Sequence, residues 1–301
     1  MTYSMIARDP QTGELGIAVQ SRSFAAGRFV PSIEAGVGVI ASQSFVNPAY
    51  GPEGLRLLRA GLSPQAALET LLSQDPGAAL RQVAILDTHG RIAAHTGRSC
   101  VAAAGHATGL QCSAQANMMA HDTVWPAMIA AFEHTSGDLA ERLLAAMQAA
   151  ERAGGDLRGR QAAALIVVSG QLAAAPTADR RVDLRIDDHP DPVGEIGRLL
   201  SYARAHERAN QAVEKTVAGN FSAALDDLDA CCAAYPEEPE FLTRRALLLL
   251  AVGRFDEAHR MVERAEAIHH GWAEYLLRFA DARVMPMPRD LVTSLVAGLI
   301  P

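Results

Sequence analysis

The chain has 301 residues, of which 49% are hydrophobic and 20% charged, and it carries a formal net charge of -7. This composition provides ample core for one large domain or two ordinary ones, and the acidic balance excludes the basic surface that nucleic-acid binding needs. No stretch approaches the roughly 20 apolar residues of a membrane-spanning helix, and the N-terminus lacks the basic and apolar regions of a signal peptide. We therefore expect a cytoplasmic protein that contacts neither nucleic acid nor membranes.

Short strands and helices follow one another irregularly over the first part of the chain. The first two strands form a hairpin around a turn at residues 9–13. The predicted strands are 3–7, 15–19, 36–42, 81–87, 91–96, 112–118, 162–169 and 182–187, and the predicted helices are 52–58, 63–72, 123–134 and 138–153. Strand pairs separated by helix pairs indicate antiparallel sheets covered by helices, so we predict an α+β domain over residues 1–192.

From residue 193 the strand signal stops and an internal repeat takes its place. The Gly-x-Phe pattern of Gly219-Asn220-Phe221 recurs as Gly253-Arg254-Phe255, and Ala224 recurs as Ala258. The offset matches the period of about 34 residues of tetratricopeptide helix pairs, in which small residues let paired helices approach closely. We predict an all-α, tetratricopeptide-like domain over residues 193–301, with a protein as its possible partner.

Thr2 is the first candidate for chemistry. It begins the first strand, and removal of Met1 would leave a free α-amine beside its hydroxyl, which gives a base and a nucleophile within one residue. Ser4 lies on the same strand face because side chains alternate, and it could be the nucleophile if Met1 stays. The alternative is structural, with both hydroxyls bonded to neighbours in the sheet.

Other polar residues at strand ends and in loops are candidates for binding a substrate or stabilising negative charge. Arg22 could orient a carboxylate or stabilise an oxyanion, and His95 could act as a base near neutral pH. The candidate substrate-binding residues are Ser21, Ser42, Asn47, Tyr50, His106, Gln115, Asn117, Asp156 and Arg160. Salt bridges, turns and structural histidines are the alternative interpretations. No Cys-x-x-Cys or His-x-x-x-His pattern occurs, so no metal or other cofactor is predicted.

Several motifs follow the hairpin in a fixed order. They are Asn47-Pro48-Ala49-Tyr50-Gly51, Ala94-His95-Thr96-Gly97, Gly105-His106 and the segments 155–161 and 183–190. Together they resemble the domain-of-unknown-function 1028 family over residues 1 to about 200. That family is grouped with the N-terminal-nucleophile hydrolases, so the resemblance implies a four-layer αββα sandwich. Some members carry a helical C-terminal extension, which is similar to the helical half of this chain.

Three functions fit these features. The leading hypothesis is hydrolysis of a small amide, ureide or cyclic amide, at a non-peptide C–N bond, with Thr2 as nucleophile and its amine as base. The alternative is a non-catalytic binding or scaffold protein that acts through the sandwich cleft and the helical repeats. The third is a metal-assisted hydrolase built on His95, His106 and Asp183. Exposed sheet edges also predict a homodimer or another homo-oligomer.

Overall fold

The computed structural model describes residues 2–172, 179–282 and 288–299 of the chain. Contacts divide the chain into two compact units, Met1–Leu200 and Ser201–Pro301. The strands are β1 (Thr2–Arg8), β2 (Leu15–Ser21), β3 (Pro31–Glu34), β4 (Gly38–Ser44), β5 (Arg81–Asp87), β6 (Ile92–Thr96), β7 (Gly105–Gly109), β8 (Cys112–Asn117), β9 (Ala162–Val168) and β10 (Arg180–Ile186). The helices are α1 (Ala26–Phe29), α2 (Tyr50–Arg59), α3 (Pro64–Ser73), α4 (Val124–His134), α5 (Leu139–Arg152), α6 (Pro192–Val217), α7 (Phe221–Ala234), α8 (Pro239–Ala251), α9 (Phe255–Ile268), α10 (Trp272–Asp281) and α11 (Arg289–Leu295).

The strands of the first unit form two antiparallel sheets. The larger sheet has six strands in the order β10-β9-β2-β1-β8-β7, and the smaller has four in the order β3-β4-β5-β6. In the larger sheet Thr2 on β1 is opposite both Ser21 on β2 and Asn117 on β8. In the smaller sheet Gln43 on β4 is opposite Gln82 on β5. This register decides which polar side chains can meet.

Helices cover the outer face of each sheet, and the inner faces pack on each other. α4 and α5 pack on the larger sheet around Met5 and Phe132. α2 and α3 pack on the smaller sheet around Ile40 and Leu68. The apolar core between the sheets includes Ile6, Leu15, Ile17, Val39, Leu86 and Ile166. The order of layers in the first unit is therefore helix, sheet, sheet, helix.

Local sequence signals explain several element boundaries. In the β1–β2 turn, Asp9 Oδ1 accepts from two main-chain N–H groups, and Gly13 has a φ of +77°, which favours glycine. Ser63 caps α3 by accepting from a main-chain N–H of its first turn. Asp138 and Glu141 form a capping box at the start of α5.

The second unit is helical throughout its described part. One buried cluster contains Leu249 and Leu276, and another contains Phe241. Gly219 and Gly253, the two glycines of the sequence repeat, each have a φ of +79° and each precede a helix by two residues. No described helix of the chain combines the length and the apolar character needed to cross a membrane.

The predicted α+β class, with antiparallel sheets followed by a helical C-terminal region, is confirmed. The sequence did not predict α1, β3 and β7, which have only four or five residues each. Segments of this length are too short for a periodic pattern to emerge. β7 also contains two glycines and forms by pairing with β8 at the sheet edge.

Candidate functional site

A band of polar side chains lies between the two sheets at the end where β1 begins. Since side chains alternate along a strand, every second residue of each strand faces the opposite sheet. The residues that do so at this end are Thr2, Ser4, Ser21, Ser113, Gln115 and Asn117 from the larger sheet and Gln43, Gln82 and Thr96 from the smaller one. We refer to them as the polar band. Apart from the half-buried Thr96, each is at most 4% exposed.

Thr2 is held at the end of the band by its hydroxyl and its carbonyl. Its Oγ1 donates to Ser21 Oγ at 3.0 Å. Its carbonyl oxygen accepts from Gln43 Nε2 at 3.1 Å and from Asn117 Nδ2 at 3.3 Å. Side chains from both sheets therefore fix the main chain of Thr2. Met1 lies outside the described residues, so its predicted removal stays a prediction.

Gln43 and Gln82 join the two sheets. Nε2 of Gln43 also lies 3.1 Å from the carbonyl oxygen of Gln115 and 2.8 Å from Gln82 Oε1. Gln82 Oε1 accepts in addition from Asn117 Nδ2 at 2.9 Å, and Gln82 Nε2 donates to the carbonyl of Ala116 at 2.8 Å. Because buried amides need partners, these contacts make the band a connected network.

Ser4 lies deeper in the band than Thr2. Its Oγ donates to Gln43 Oε1 at 2.5 Å and accepts from Gln115 Nε2 at 2.7 Å. Gln115 Oε1 in turn accepts from Ser113 Oγ at 3.1 Å. Neither partner of Ser4 Oγ is a base, and a hydroxyl becomes a strong nucleophile only when a base takes its proton. The contacts of Ser4 therefore favour the structural interpretation of this residue.

The network reaches the surface at His106 on the edge strand β7. Gln82 Nε2 donates to Thr96 Oγ1 at 2.9 Å, and Thr96 Oγ1 is 2.8 Å from His106 Nδ1. The Thr96 hydroxyl can donate to an unprotonated Nδ1 or accept from a protonated one, so this contact is compatible with either tautomer of a neutral His106. Partial burial, followed by the nearby His95, lowers the pKa of His106 below its ordinary value, in agreement with a neutral ring.

One oxygen atom of the band has no partner. Asn117 Oδ1 is buried, and no described residue donates a hydrogen bond to it. Leaving such an acceptor unpaired costs about 1–3 kcal/mol, so an N–H group of a ligand would be favoured there. Three other buried polar atoms have no partner among the described residues, namely Arg8 Nε, Gln20 Oε1 and Ser42 Oγ. Of these, Gln20 Oε1 and Ser42 Oγ point to the helix-covered faces of their sheets.

Arg22, Asp156 and Arg160 gather in a polar corner where β2 ends. The carboxylate of Asp156 pairs with Arg158 at 2.8 Å and accepts from the main-chain N–H of Arg22 at 3.1 Å. Arg160 forms an ion pair with Glu151 on α5. The acidic and basic groups of this corner therefore compensate one another, and none of these contacts reaches Thr2.

Asn47 and Tyr50 meet at Asp75, a residue that the sequence analysis did not select. Asp75 Oδ2 accepts from Tyr50 OH at 2.9 Å, from Asn47 Nδ2 at 3.3 Å and from Arg81 Nε at 2.7 Å. The hydrogen bonds from Arg81 are the main reason that the pKa of Asp75 lies below its usual range. The carboxylate thus stays charged and anchors the start of α2.

The structure separates His95 and Ser42 from Thr2, although the sequence predicted all three in one site. His95 is opposite Val83, which faces the helix layer, and its Nε2 is 3.1 Å from the carbonyl oxygen of Ala78. Ser42 is opposite Val83 on the neighbouring strand and shares that face. The alternation of side chains places both residues on the far side of the smaller sheet from the polar band.

Gln43, Gln82 and Thr96 were not predicted from the sequence as residues of the site. Gln43 and Gln82 are polar residues at inward positions of the buried strands β4 and β5, next to apolar inward positions such as Ala41 and Ala84. Thr96 has an inward position on the edge strand β6. That pattern is present in the sequence, but it indicates a shared polar site only when the facing sheet is known. Among the described residues no three His, Cys, Asp or Glu side chains are placed to hold a metal ion.

Comparisons with solved structures include two similarities that differ in strength. The crystal structure of a DUF1028 protein from Silicibacter pomeroyi is 36% identical, with a TM-score of 0.61, and the match covers 67% of this chain and 85% of that one. Anbu (ancestral beta-subunit) from Yersinia bercovieri is 13% identical, and the match covers 68% of this chain and 96% of that one. Its TM-score of 0.34 is too low to support a comparison of folds. No curated protein matches the chain.

The family comparison agrees with the motifs. A profile named "Family of unknown function (DUF1028)" matches residues 2–196, which include every strand of both sheets. The resemblance drawn from the hairpin and the ordered motifs is therefore confirmed. The chain belongs to the Family of unknown function DUF1028.

Proposed function

We propose that the protein hydrolyses a small amide, ureide or cyclic amide at Thr2, in an N-terminal-nucleophile-like αββα sandwich. The observation that carries this proposal is the fixed position of Thr2. Its hydroxyl bonds to Ser21, and its carbonyl is held by Gln43 and Asn117 at the end of the band. The position of Thr2 supports the proposal because attack on a bound carbonyl requires a nucleophile that is held in place.

The chemistry of the band supports a neutral polar substrate. The partners of Thr2, Ser4, Gln43 and Gln115 given above are hydroxyls, side-chain amides and main-chain carbonyls. An uncompensated charge is strongly disfavoured in such surroundings, whereas an amide can both donate and accept. The unpartnered Asn117 Oδ1 supplies an acceptor for the N–H of that amide.

The proposed reaction uses the α-amine that Thr2 has once Met1 is removed. The amine takes the hydroxyl proton while Oγ1 attacks the carbonyl carbon, and a tetrahedral oxyanion forms. The C–N bond then breaks, and the proton passes to the leaving nitrogen, which leaves an ester on Oγ1. Water cleaves the ester with the same amine as base and regenerates Thr2. The polar corner contains Arg22, Asp156 and Arg160. These residues would therefore contact only a part of the substrate that reaches this corner.

A non-catalytic binding or scaffold role is the second candidate, and the burial of the band favours it. Thr2 is 4% exposed, and its hydroxyl and its carbonyl already have hydrogen-bond partners without a ligand. In this role the sandwich, over residues 1–192, would support the tetratricopeptide-like helices of residues 193–301, which would bind a protein partner. The homo-oligomer and the cytoplasmic location stay predictions in either case.

Intact-mass measurement and a panel of neutral amides, ureides and lactams would separate the two candidates. We expect the purified chain to lack Met1 and to turn over a member of the panel. Thr2→Ala should abolish turnover, whereas Thr2→Ser should retain part of it. Thr12→Ala, an exposed hydroxyl residue in the hairpin turn, is the matched control. Retained Met1 together with full activity would remove Thr2 from the proposed role.

A further inference from the structure

Exposed apolar side chains lie beside both sheets at the end of the sandwich where β1 begins. Leu157, in the loop between α5 and β9, is 66% exposed, and Phe45, which directly follows β4, is 49% exposed. Phe45 lies two residues beyond Gln43, whose amide contacts the Thr2 carbonyl. The main-chain N–H of Leu157 donates at 3.1 Å to the carbonyl of the residue that follows Asn117. The proposed reaction uses neither apolar side chain.

The main chain determines the side to which Leu157 points. Its neighbour Asp156 forms an antiparallel bridge with Met119, and the side chains of two bridged residues share a face of the sheet. Met119 packs in the core beneath α4 and α5. Because side chains alternate along an extended segment, Leu157 points away from that core, to the face on which Thr2 and Asn117 lie. Asp156 is buried and Leu157 exposed, in agreement with this orientation.

Two more apolar side chains are exposed at the same end. Phe24 follows the last residue of β2, Ser21, by three positions, and the carbonyl of Val101 accepts from the main-chain N–H of Met118. Consecutive Cα atoms are about 3.8 Å apart, so Phe24 lies within roughly 12 Å of Ser21, the hydrogen-bond partner of Thr2. Exposed apolar residues that gather around a polar site indicate a surface that binds a ligand or a partner.

The polar band indicates what this surface binds. Its hydroxyls and amides suit the neutral amide group of a substrate, and the unpartnered Asn117 Oδ1 would accept the N–H of that amide. The part of the molecule beyond the amide then extends to the end of the sandwich, where it meets Leu157 and Phe45. We propose that the substrate is an amide with an apolar substituent of several carbon atoms, which packs against Leu157 and Phe45, and this substrate class rests on the function proposed above for Thr2.

Ligand-detected NMR titration of the Thr2→Ala chain measures this binding without turnover, with acetamide and hexanamide as the two probes. Affinity should be at least about tenfold higher for hexanamide, because each buried methylene group strengthens binding about threefold to fourfold. Leu157→Asn, in the same Thr2→Ala background, should lower the affinity for hexanamide about fivefold and leave the binding of acetamide unchanged.

The matched control is Leu110→Asn, which changes an exposed leucine between β7 and β8 at the opposite end of the sandwich. In the Thr2→Ala background it should bind hexanamide as tightly as Thr2→Ala alone. Melting curves followed by circular dichroism show whether each variant is folded. Absence of saturable hexanamide binding, equal affinities for the two probes, or equal effects of Leu157→Asn and Leu110→Asn would overturn the proposal.

Failure of the reaction proposed for Thr2 gives a different result. In that case the chain with Thr2 in place turns over no member of the amide panel, or Thr2→Ala retains the turnover, whatever the affinities are. Turnover that requires Thr2 but has the same kcat/KM for hexanamide and acetamide would contradict the apolar substituent and leave the reaction intact.

Discussion

The layer between the two sheets is apolar at one end and polar at the other. Ile6, Ile17 and Leu86 lie in the apolar end, and Thr2 and Gln43 lie in the polar band, yet all are at most 4% exposed. Apolar side chains stabilise a core without needing specific partners, whereas each buried amide needs donors and acceptors in place. Along the same strands, apolar packing that needs no specific partners therefore changes to a hydrogen-bond network that does. Such a local departure from apolar packing is typical of functional sites.

Ile17→Ala tests the apolar end and should give the largest loss of stability. Removal of a fully buried branched side chain lowers the free energy of unfolding by about 2–5 kcal/mol, because transfer free energy is lost and a cavity remains. Urea unfolding measures the change. Leu110→Ala, at a side chain that is 77% exposed, is the matched control. A loss below about 1 kcal/mol for Ile17→Ala would contradict the assignment of this end as core.

Gln43→Met tests the polar band at nearly constant side-chain volume. The change leaves the Ser4 hydroxyl without its acceptor and removes one of the two donors to the Thr2 carbonyl. We expect a loss of about 1–3 kcal/mol in the free energy of unfolding and the loss of turnover on any amide that the unaltered chain hydrolyses. Gln65→Met, at an exposed position of α3, is the control. Unchanged stability and turnover would show that an apolar side chain can replace the Gln43 amide in the polar band.

Local signals in the sequence predicted the hairpin and the helix that begins at Ser63, because the residues of each motif are neighbours in the chain. The residues of the site depend on register instead. Ser4 was predicted from the alternation of strand residues to share a face with Thr2, and the structure places both in the band.

Residues on a second sheet could not be predicted in the same way. Gln43 faces Thr2 only because two sheets stack at a particular end, and a one-residue shift in register would turn it to the helix layer. His95 illustrates the opposite case, since its neighbour Thr96 is the residue that faces inward. Asp75 was missed because Asn47, Tyr50 and Arg81 converge on it only after folding.

His106→Gln should give the smallest effect, and it concerns pH. The lowered pKa of His106 means that folding favours the neutral ring, so its contribution to stability is present above its ordinary pKa and declines as pH falls through the lowered value. The unaltered chain should lose more stability than His106→Gln between pH 7 and pH 5, by less than about 1 kcal/mol because the ring is partly exposed to solvent.

Urea unfolding at the two pH values measures this difference. His121→Gln, at an exposed position before α4, controls for the loss of one histidine. An equal decline for the unaltered chain and His106→Gln would show that protonation of His106 does not disturb the band.

The strand order of the larger sheet has a consequence for folding. β1 and β2 are neighbours in the chain, but the strands that flank them in the sheet, β8 and β9, come much later in the sequence. Thr2 on β1 pairs with Asn117 on β8, and Ser21 on β2 pairs with Ala162 on β9. Contacts between residues so distant in the chain slow folding to the order of milliseconds to seconds. Until those partners dock, both flanks of the central hairpin are open edges that can join another molecule. Refolding yield should therefore fall as protein concentration rises, even where the native state itself is soluble.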